Sequence, residues 1–143
     1  MNRLLRKKIV FHAGAVMTLG MLSGIPLAMT MLGYMDGEPA DWKISHMEGL
    51  INGLLMLAVA GCGGLLALSF RQERVLLGCL LFTGYSNALY GWARGLSGEH
   101  GMDFAPPVAN QVVALLGGLP IATAFASIII LMLGAQKSRP EEK

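Results

Sequence analysis

Three polar side chains of different chemistry lie close together at the start of a long apolar segment. His46, Glu48 and Asn52 place an imidazole, a carboxylate and an amide within seven residues, in the stretch Ser-His-Met-Glu-Gly-Leu-Ile-Asn-Gly. Polar side chains are costly at the mouth of a membrane-spanning segment, so each is expected to have a partner or a function. We therefore interpret the rest of the chain as a scaffold that holds this stretch and its partner residues in one pocket.

The composition is that of an integral membrane protein. Of the 143 residues, 54% are hydrophobic and only 14% are charged, and the mean hydropathy is +0.56. Glycine is abundant, as is common where membrane helices pack closely, and Gly20-x-x-x-Gly24 offers such a packing face. Cys62 and Cys79 lack metal-ligand or redox spacing and are interpreted as packing residues. The chain has no basic stripe with interleaved aromatic residues, which argues against nucleic-acid binding.

Four apolar runs predict an all-α integral membrane fold, a four-transmembrane-helix bundle that forms a single membrane domain over residues 1–143. The predicted helices cover residues 9–34, 45–70, 75–96 and 108–135. Each run is long enough to cross a hydrocarbon core of about 30 Å at about 1.5 Å per residue. The N-terminus, the 71–74 loop and the C-terminal tail hold nine of the eleven Lys and Arg residues. The positive-inside rule therefore places both termini in the cytoplasm.

Polar residues of the second and third helices are predicted to lie at similar depths in the membrane. Asn52 lies about 9 Å deeper than His46, and Asn87, on a helix of opposite direction, lies about 18 Å from the cytoplasmic face. The outer half of the bundle thereby collects a polar cluster: His46, Glu48, Asn52, Tyr85, Asn87, Tyr90, Asn110 and Gln111. Such a cluster in one half of a small bundle indicates a site that opens outward or sideways.

Structural interpretations of the same residues remain open at this point. Ser45 and Glu48 have the spacing of a capping box at a helix start. His46 is compatible with a hydrogen bond to a loop carbonyl, and Asn52 and Asn87 with a bridge between helices. Three aromatic residues are compatible with an interfacial belt: Tyr85, Tyr90 and Trp92.

The side chains of His46 and Asn52 are predicted to point in different directions. Six residues turn a helix by about 600°, which leaves the two side chains about 120° apart. If the helices pack around a symmetry axis, one side chain faces its own subunit's pocket and the other faces a neighbour's. This geometry indicates an oligomer with shared sites, and Gly49-x-x-x-Gly53 between the two residues permits close helix approach.

The sequence around this stretch resembles the styrene oxide isomerase family, small four-helix membrane enzymes of bacterial styrene degradation. The matching signature is Trp42-x-x-x-His46-x-x-Gly49-x-x-Asn52-Gly53, followed by an apolar run. Further matches lie elsewhere in the chain: His12, Gly84-x-x-Asn87 and Phe104-x-Pro106. The similarity extends over most of the chain, although the first loop is shorter than in the family.

The resemblance implies a haem b enzyme of the bacterial inner (cytoplasmic) membrane, a homotrimer with the haem between subunits. It implies that His46 is the axial ligand of the ferric iron, that Trp42 and Gly49 lie beside the cofactor, and that Asn52 orients the substrate. The implied reaction is an intramolecular isomerisation, the Lewis-acid Meinwald rearrangement of a styrene oxide-like epoxide to an aldehyde. The implied partners are a small apolar epoxide, membrane lipid and further copies of the chain.

The third helix departs from the family at one position. The family has a tyrosine there that contacts the substrate, and counting from Asn87 places this position at Gly91, one residue beyond Tyr90. One residue corresponds to about 100° on a helix. We expect Asn87 and Tyr90 to join Asn52 in the catalytic site, with Tyr90 replacing the family tyrosine through a local shift of the helix or of the alignment.

Two other functions are compatible with the same residues. A non-catalytic haem-binding membrane protein, such as a sensor or carrier, would bind the cofactor without converting epoxides. A structural accessory membrane protein would use its polar residues only to join helices and would bind no cofactor.

Overall fold

The computed structural model describes residues 1–136, which form four α-helices. These are α1 (Arg3–Met31), α2 (Pro39–Cys62), α3 (Phe70–Ser97) and α4 (Val108–Gln136), with a 3-10 turn at Gly63–Leu65. The prediction of an all-α fold with four long helices is confirmed, but three of the helices begin earlier than the apolar runs. The charged tail from residue 137 onward, whose cations count toward the predicted orientation, lies outside the described residues.

Capping groups explain the early starts of α1 and α3. The side chain of Asn2 accepts a hydrogen bond from the Leu4 N–H at the start of α1. Ser69 and Gln72 form a capping box at the start of α3. Because these caps satisfy the free N–H groups of a first turn, the predicted 71–74 loop is instead the first turn of α3.

The early start of α2 changes the interpretation of the polar stretch. Pro39 occupies the beginning of the helix, where its fixed φ is favourable, and Asp41 lies in the first turn. The alternative of a capping box at Ser45 and Glu48 is therefore excluded: the hydroxyl of Ser45 points to α3 and lies 3.4 Å from the carbonyl oxygen of Ala88. His46 consequently lies about two turns inside α2 rather than at its first turn.

Helices α1 and α2 pack backbone against backbone. A Cβ added to Gly20 would lie 2.8 Å from the Cα of Gly49, so neither position has room for a side chain. One turn further along α2, Gly53 faces Met17 and the Ala13 carbonyl of α1. The predicted GxxxG segment of α2 therefore forms a close helix–helix contact.

Helix α3 is the centre of the fold. It packs against α1, α2 and α4, whereas α4 makes its main contact with α3. The buried apolar core joins α1, α2 and α3 and consists of Ile9, Ala13, Val16, Met56, Val59, Ala60, Leu76, Leu80 and Ala88. As a result α2 and α4 both lie against α3. Side chains of all three helices line a small apolar cavity between them.

Three of the four helices are long and apolar enough to cross a membrane: α1, α2 with its following turn, and α4. Only 17% of the most apolar stretch of α4 is buried, against 39% of that of α2. The apolar side chains of α4 therefore face outward, as they do in lipid-facing helices. Helix α3 has charged residues at both ends and three residues of the predicted polar cluster, and it is the least apolar of the four.

Candidate active site

His46 lies on the side of α2 that faces α1. Its Nδ1 is 2.8 Å from the carbonyl oxygen of Gly20, and a Cβ added at Gly24 would lie 3.2 Å from the same nitrogen. Because a carbonyl only accepts hydrogen bonds, Nδ1 carries the hydrogen and donates it. In the neutral ring the lone pair is then on Nε2, the atom that binds a metal when the other nitrogen is held this way.

His46 offers one imidazole donor, which is the kind of ligand that a metal held by a macrocycle takes from a protein. Within residues 1–136 there is no cluster of three His, Cys, Asp or Glu side chains that would hold a bare ion. A haem iron needs only an axial ligand or two from the protein. A histidine oriented by a backbone carbonyl is a common form of such a ligand, so the donor chemistry of His46 fits an axial haem ligand.

A network of three polar side chains lies between α2 and α3. Nδ2 of Asn52 donates to the backbone carbonyl and to the carboxylate of Glu48, both at 2.9 Å. The Oδ1 of Asn52 accepts a long hydrogen bond of 3.5 Å from Nδ2 of Asn87 on α3. This contact agrees with the prediction that the two amides reach the same depth from opposite directions.

His46 and Asn52 belong to different faces of α2. The first contacts α1 through Gly20 and the second contacts α3 through Asn87. This division agrees with the predicted angle of about 120° between the two side chains. The polar stretch is therefore split between two helix interfaces, rather than gathered in one pocket of a single chain.

A pocket of about 340 Å³ opens beside Asn87 and Tyr90, between α3, α4 and the loop that joins them. Its polar side also includes the carboxylate of Glu48 and the imidazole of His100. Its apolar side comes from α4 and the loop: Met102, Ala114, Gly117, Gly118 and Ile121. A smaller apolar pocket of about 220 Å³ also contains Asn87 and continues along α4. Together the two pockets suit a small ligand that has both a polar atom and an apolar body.

Gly91, the position that corresponds to the family tyrosine, has no space for a side chain. A Cβ at Gly91 would overlap the backbone of Ser45 on α2. Tyr90, the preceding residue, instead packs on Gly117 of α4, where an added Cβ would lie 2.8 Å from the ring. Tyr90 is thus the aromatic hydroxyl that lines the pocket together with Asn87.

Trp42 and Gly49, expected beside a cofactor, pack between helices of the protomer. Trp42 is 2% exposed and meets Trp92 edge to face, with ring centroids 5.4 Å apart. Its indole N–H is buried and lacks a hydrogen-bond partner among the described residues. Gly49 lies against Gly20 at the α1–α2 crossing. Trp92 donates to the Leu19 carbonyl at 3.2 Å and so joins α3 to α1.

A buried ion pair next to the pocket escaped the sequence analysis. Nε of Arg94 lies 2.9 Å from Oδ1 of Asp41, whose side chain is 3% exposed. Nη1 of Arg94 also donates to the hydroxyl of Tyr90 at 2.9 Å. Asp41 precedes the apolar run, so the pattern assigns it to a loop. A signal existed nevertheless, because Arg94 is one of only two cations on the predicted outer side, and such a charge needs a partner.

Two members of the predicted polar cluster have structural roles outside the pocket. Asn110 organises the loop before α4: it accepts a hydrogen bond from the Gly101 N–H at 2.8 Å and donates to the Ala105 carbonyl at 3.1 Å. The hydroxyl of Tyr85 lies 2.9 Å from Nδ1 of His12 on α1. The cluster that lines the pocket is therefore smaller than the sequence predicts.

Comparison with known proteins identifies one family. The model of the styrene oxide isomerase family matches residues 5–136, which include nearly all of the four helices and every residue of the candidate site. A search of curated proteins finds no match. At the level of the family, the match supports an isomerase that acts on epoxides. Because it covers almost the entire chain, the chain belongs to the styrene oxide isomerase family.

Proposed function

We propose that the protein is a haem b-dependent membrane isomerase that converts an epoxide of the styrene oxide type to an aldehyde. The observation that carries this proposal is the orientation of His46 in a chain of this family. Because the Gly20 carbonyl takes the Nδ1 hydrogen, Nε2 is left as a ligand. His46 would hold the haem as its axial ligand.

The chemistry requires no second reactant. When bound, ferric haem with an open coordination position supplies a Lewis acid for the epoxide oxygen. As the C–O bond at the aryl-bearing carbon breaks, that carbon becomes positively charged and receives a hydride from its neighbour. The second carbon then forms the aldehyde C=O, so all atoms and electrons of the substrate are retained.

The contribution of the protein is to bind the substrate, orient its oxygen and exclude water. Asn87 and Tyr90 line the pocket of about 340 Å³, and Asn52 contacts Asn87 from α2. An apolar pocket lined by Ile121 and Phe125 continues from Asn87 along α4. A dry site suppresses capture of the cation by water, which would produce a diol.

We further propose that all four helices span the inner membrane, with both termini in the cytoplasm. The distribution of Lys and Arg supports this orientation. Helix α3 contacts the other three helices, so its polar side chains have protein partners rather than lipid. Single cysteines at Ser69 and Ser97, in a Cys62→Ser/Cys79→Ser background, test the topology. An impermeant maleimide should label Ser97→Cys in intact cells and Ser69→Cys only after permeabilisation, and the reverse pattern would reject the orientation.

We also propose that the active site is completed between subunits of a homo-oligomer, a trimer by resemblance to the family. The support is geometric: His46 faces α1, whereas Asn52, Asn87 and Tyr90 lie on the side of α3 and α4. A cofactor on His46 therefore needs a neighbouring copy to meet a substrate held by the other three residues.

An absorption spectrum of protein purified in detergent after haem-replete expression tests the proposal. We expect a Soret band that is absent in His46→Ala. His12→Ala is the control and should retain the band, because the imidazole of His12 contacts Tyr85 instead. Styrene oxide should yield the aldehyde with wild type and not with His46→Ala. A colourless protein would reject haem binding and favour a structural accessory protein. A Soret band without epoxide turnover would favour a sensor or carrier.

A further inference from the structure

A basic pocket of about 490 Å³ lies between the start of α1 and the end of α2. Its wall contains three cations, Arg3, Arg6 and Lys7, and among the described residues it contains no carboxylate. A volume of this size is in the range of small-molecule sites. None of these residues takes part in the function proposed above, so this pocket needs an explanation of its own.

The spacing of the three cations places them on one face of α1. Positions 3, 6, 7 and 10 follow the i, i+3, i+4, i+7 pattern, which puts their side chains on the same side of the helix. Val10 lies about 4.5 Å deeper along the helix axis than Lys7, and Leu57 of α2 lines the pocket with it. The basic pocket therefore has a charged end at the helix start and an apolar end about one turn deeper.

The guanidinium of Arg6 is held at the end of α2. Its Nε donates to the Ala60 carbonyl at 2.7 Å, and its Nη2 donates to the Gly61 carbonyl at 3.4 Å. The last turn of a helix leaves carbonyl groups without partners and favours a nearby cation, which explains this contact. A guanidinium has five N–H groups, so three remain beyond these two hydrogen bonds and can bind an anion.

No carboxylate balances Arg3 and Lys7 within the described residues. The carboxylates that form ion pairs in residues 1–136 are those of Glu73 and Asp41, and neither pairs with these two cations. Like charges on adjoining turns repel one another, and an anion that contacts all of them removes this repulsion. Cations that only set the orientation of a membrane protein need no common pocket, whereas these share one with apolar side chains.

We propose that the basic pocket binds one anionic phospholipid from the adjoining membrane leaflet. Arg3, Arg6 and Lys7 bind the lipid phosphate, and an acyl chain lies against Val10 and Leu57. The cations would repel the ammonium group of a zwitterionic lipid, so a net negative head group is preferred. Basic pockets between membrane helices recognise anionic head groups in this way. The assignment to the inner leaflet rests on the orientation proposed above, whereas the lipid chemistry rests on the pocket itself.

Native mass spectrometry of delipidated protein from haem-replete cells measures the proposed binding directly. Phosphatidylglycerol is the anionic probe, phosphatidylcholine is the zwitterionic probe, and glycerophosphoglycerol is the anionic head group without acyl chains. We expect phosphatidylglycerol to bind more tightly than either of the other two. Equal affinity for the two lipids would overturn the proposal. Equal affinity for glycerophosphoglycerol would overturn the assignment to a lipid, because the apolar end of the pocket would then contribute nothing.

Two double variants with the same loss of charge locate the site. Arg3→Gln/Lys7→Gln removes two cations of the basic pocket, whereas Lys8→Gln/Arg71→Gln removes two cations from outside it. Arg6 is unchanged in both, so the end of α2 keeps its partner. A cation near a membrane surface contributes about fivefold to the affinity for an anionic lipid, so phosphatidylglycerol should bind about 25-fold more weakly to the first variant. The second should bind it nearly as wild type does, and an equal loss in both would overturn the proposal.

The adjacent single variants Lys7→Gln and Lys8→Gln repeat this comparison with a smaller change. Phosphatidylglycerol should bind about fivefold more weakly to the first and with wild-type affinity to the second. Because a ligand that binds only the folded protein stabilises it by mass action, phosphatidylglycerol should also raise the unfolding temperature of Lys8→Gln more than that of Lys7→Gln. Equal affinities and equal rises in unfolding temperature would exclude Lys7 from the site and would reject the proposal.

Discussion

The imidazole of His46 contacts α1 at two glycines, Gly20 and Gly24, where no side chain intervenes. Its Nδ1 donates to the Gly20 carbonyl at 2.8 Å, and its ring packs where Gly24 has no side chain. A single hydrogen bond thereby selects the tautomer and leaves the lone pair on Nε2. At the residue scale, three groups that can only accept or only donate hydrogen bonds orient their partners. The Gly20 carbonyl orients His46, the Glu48 carboxylate orients Asn52, and the Arg94 guanidinium orients Tyr90.

Gly24→Ala tests the orientation of His46. The new Cβ would lie 3.2 Å from Nδ1, closer than ordinary van der Waals contact, so the ring must tilt or shift. We expect haem affinity to fall by about tenfold or more, the range seen when groups that orient a ligand are changed. Haem titration of apoprotein, followed at the Soret band, measures this effect.

Gly14→Ala is the control for this substitution. Gly14 lies on the same helix, and a Cβ there meets nothing within 4 Å, so its haem affinity should equal that of wild type. Equal affinities for Gly24→Ala and Gly14→Ala would mean that the ring has room to move and that its orientation does not depend on Gly24.

At the scale of helices, the α1–α2 crossing determines what His46 can reach. Gly20 and Gly49 let the two backbones touch, which brings the Gly20 carbonyl within hydrogen-bond distance of His46. The same approach places Gly53 against Met17. In a membrane, where apolar surface is already solvated by lipid, such close packing is a main source of helix association.

Gly49→Ala should destabilise this crossing. The added methyl group would overlap the Gly20 backbone, which cannot rotate away as a side chain can. We expect a loss of stability of about 1–3 kcal/mol, the usual cost of overpacking, together with weaker haem binding because His46 loses its register with Gly20. Reversible unfolding of the detergent-solubilised protein gives the free energy.

Gly61→Ala provides the matched control on the same helix. A Cβ at Gly61 meets nothing within 4 Å, and alanine favours the helix by up to about 1 kcal/mol over glycine. This variant should therefore be as stable as wild type or slightly more stable. Similar losses in Gly49→Ala and Gly61→Ala would mean that contact with Gly20 does not explain the effect.

At the scale of the whole molecule, the polar groups lie inside and the apolar surface lies outside. The central helix α3 carries Asn87 and Tyr90, whereas α4 exposes most of its apolar stretch. Because His46 contacts α1 and Asn52 contacts α3 from different faces of α2, one protomer separates the proposed metal ligand from the proposed substrate donors. A closed oligomer is a simple way to bring such surfaces together.

Mixed oligomers test whether sites are shared. His46→Ala and Tyr90→Phe subunits, carrying different tags, are co-expressed and purified in tandem so that each particle holds both. Each variant alone should have little activity, whereas a trimer that holds both variants regains an intact pair of residues at about one third of the interfaces between subunits. Aldehyde formation from styrene oxide, relative to the homomeric variants, measures the rescue. Absence of rescue in folded, haem-loaded mixed particles would place both residues in a site within one chain.

The amino-acid sequence by itself determined the all-α fold, the four helices and the common depth of Asn52 and Asn87. Length, apolar content and rise per residue are local properties, and they suffice to predict where a helix runs and how far along it a side chain lies. The family signature from Trp42 to Gly53 is likewise readable in one segment. Helix starts were less predictable, because caps such as Asn2 and Pro39 lie outside the apolar pattern.

Only the tertiary structure decided which side chains face one another. It shows that Asp41 pairs with Arg94 and that Gly91 lies against Ser45, so that Tyr90 faces the pocket. It also shows that Nδ1 of His46 carries the hydrogen. The physical reason is that a side chain's partner is set by the rotation and separation of packed helices, which depend on contacts between residues far apart in the chain. Periodicity within one helix carries no information about the neighbour it will meet.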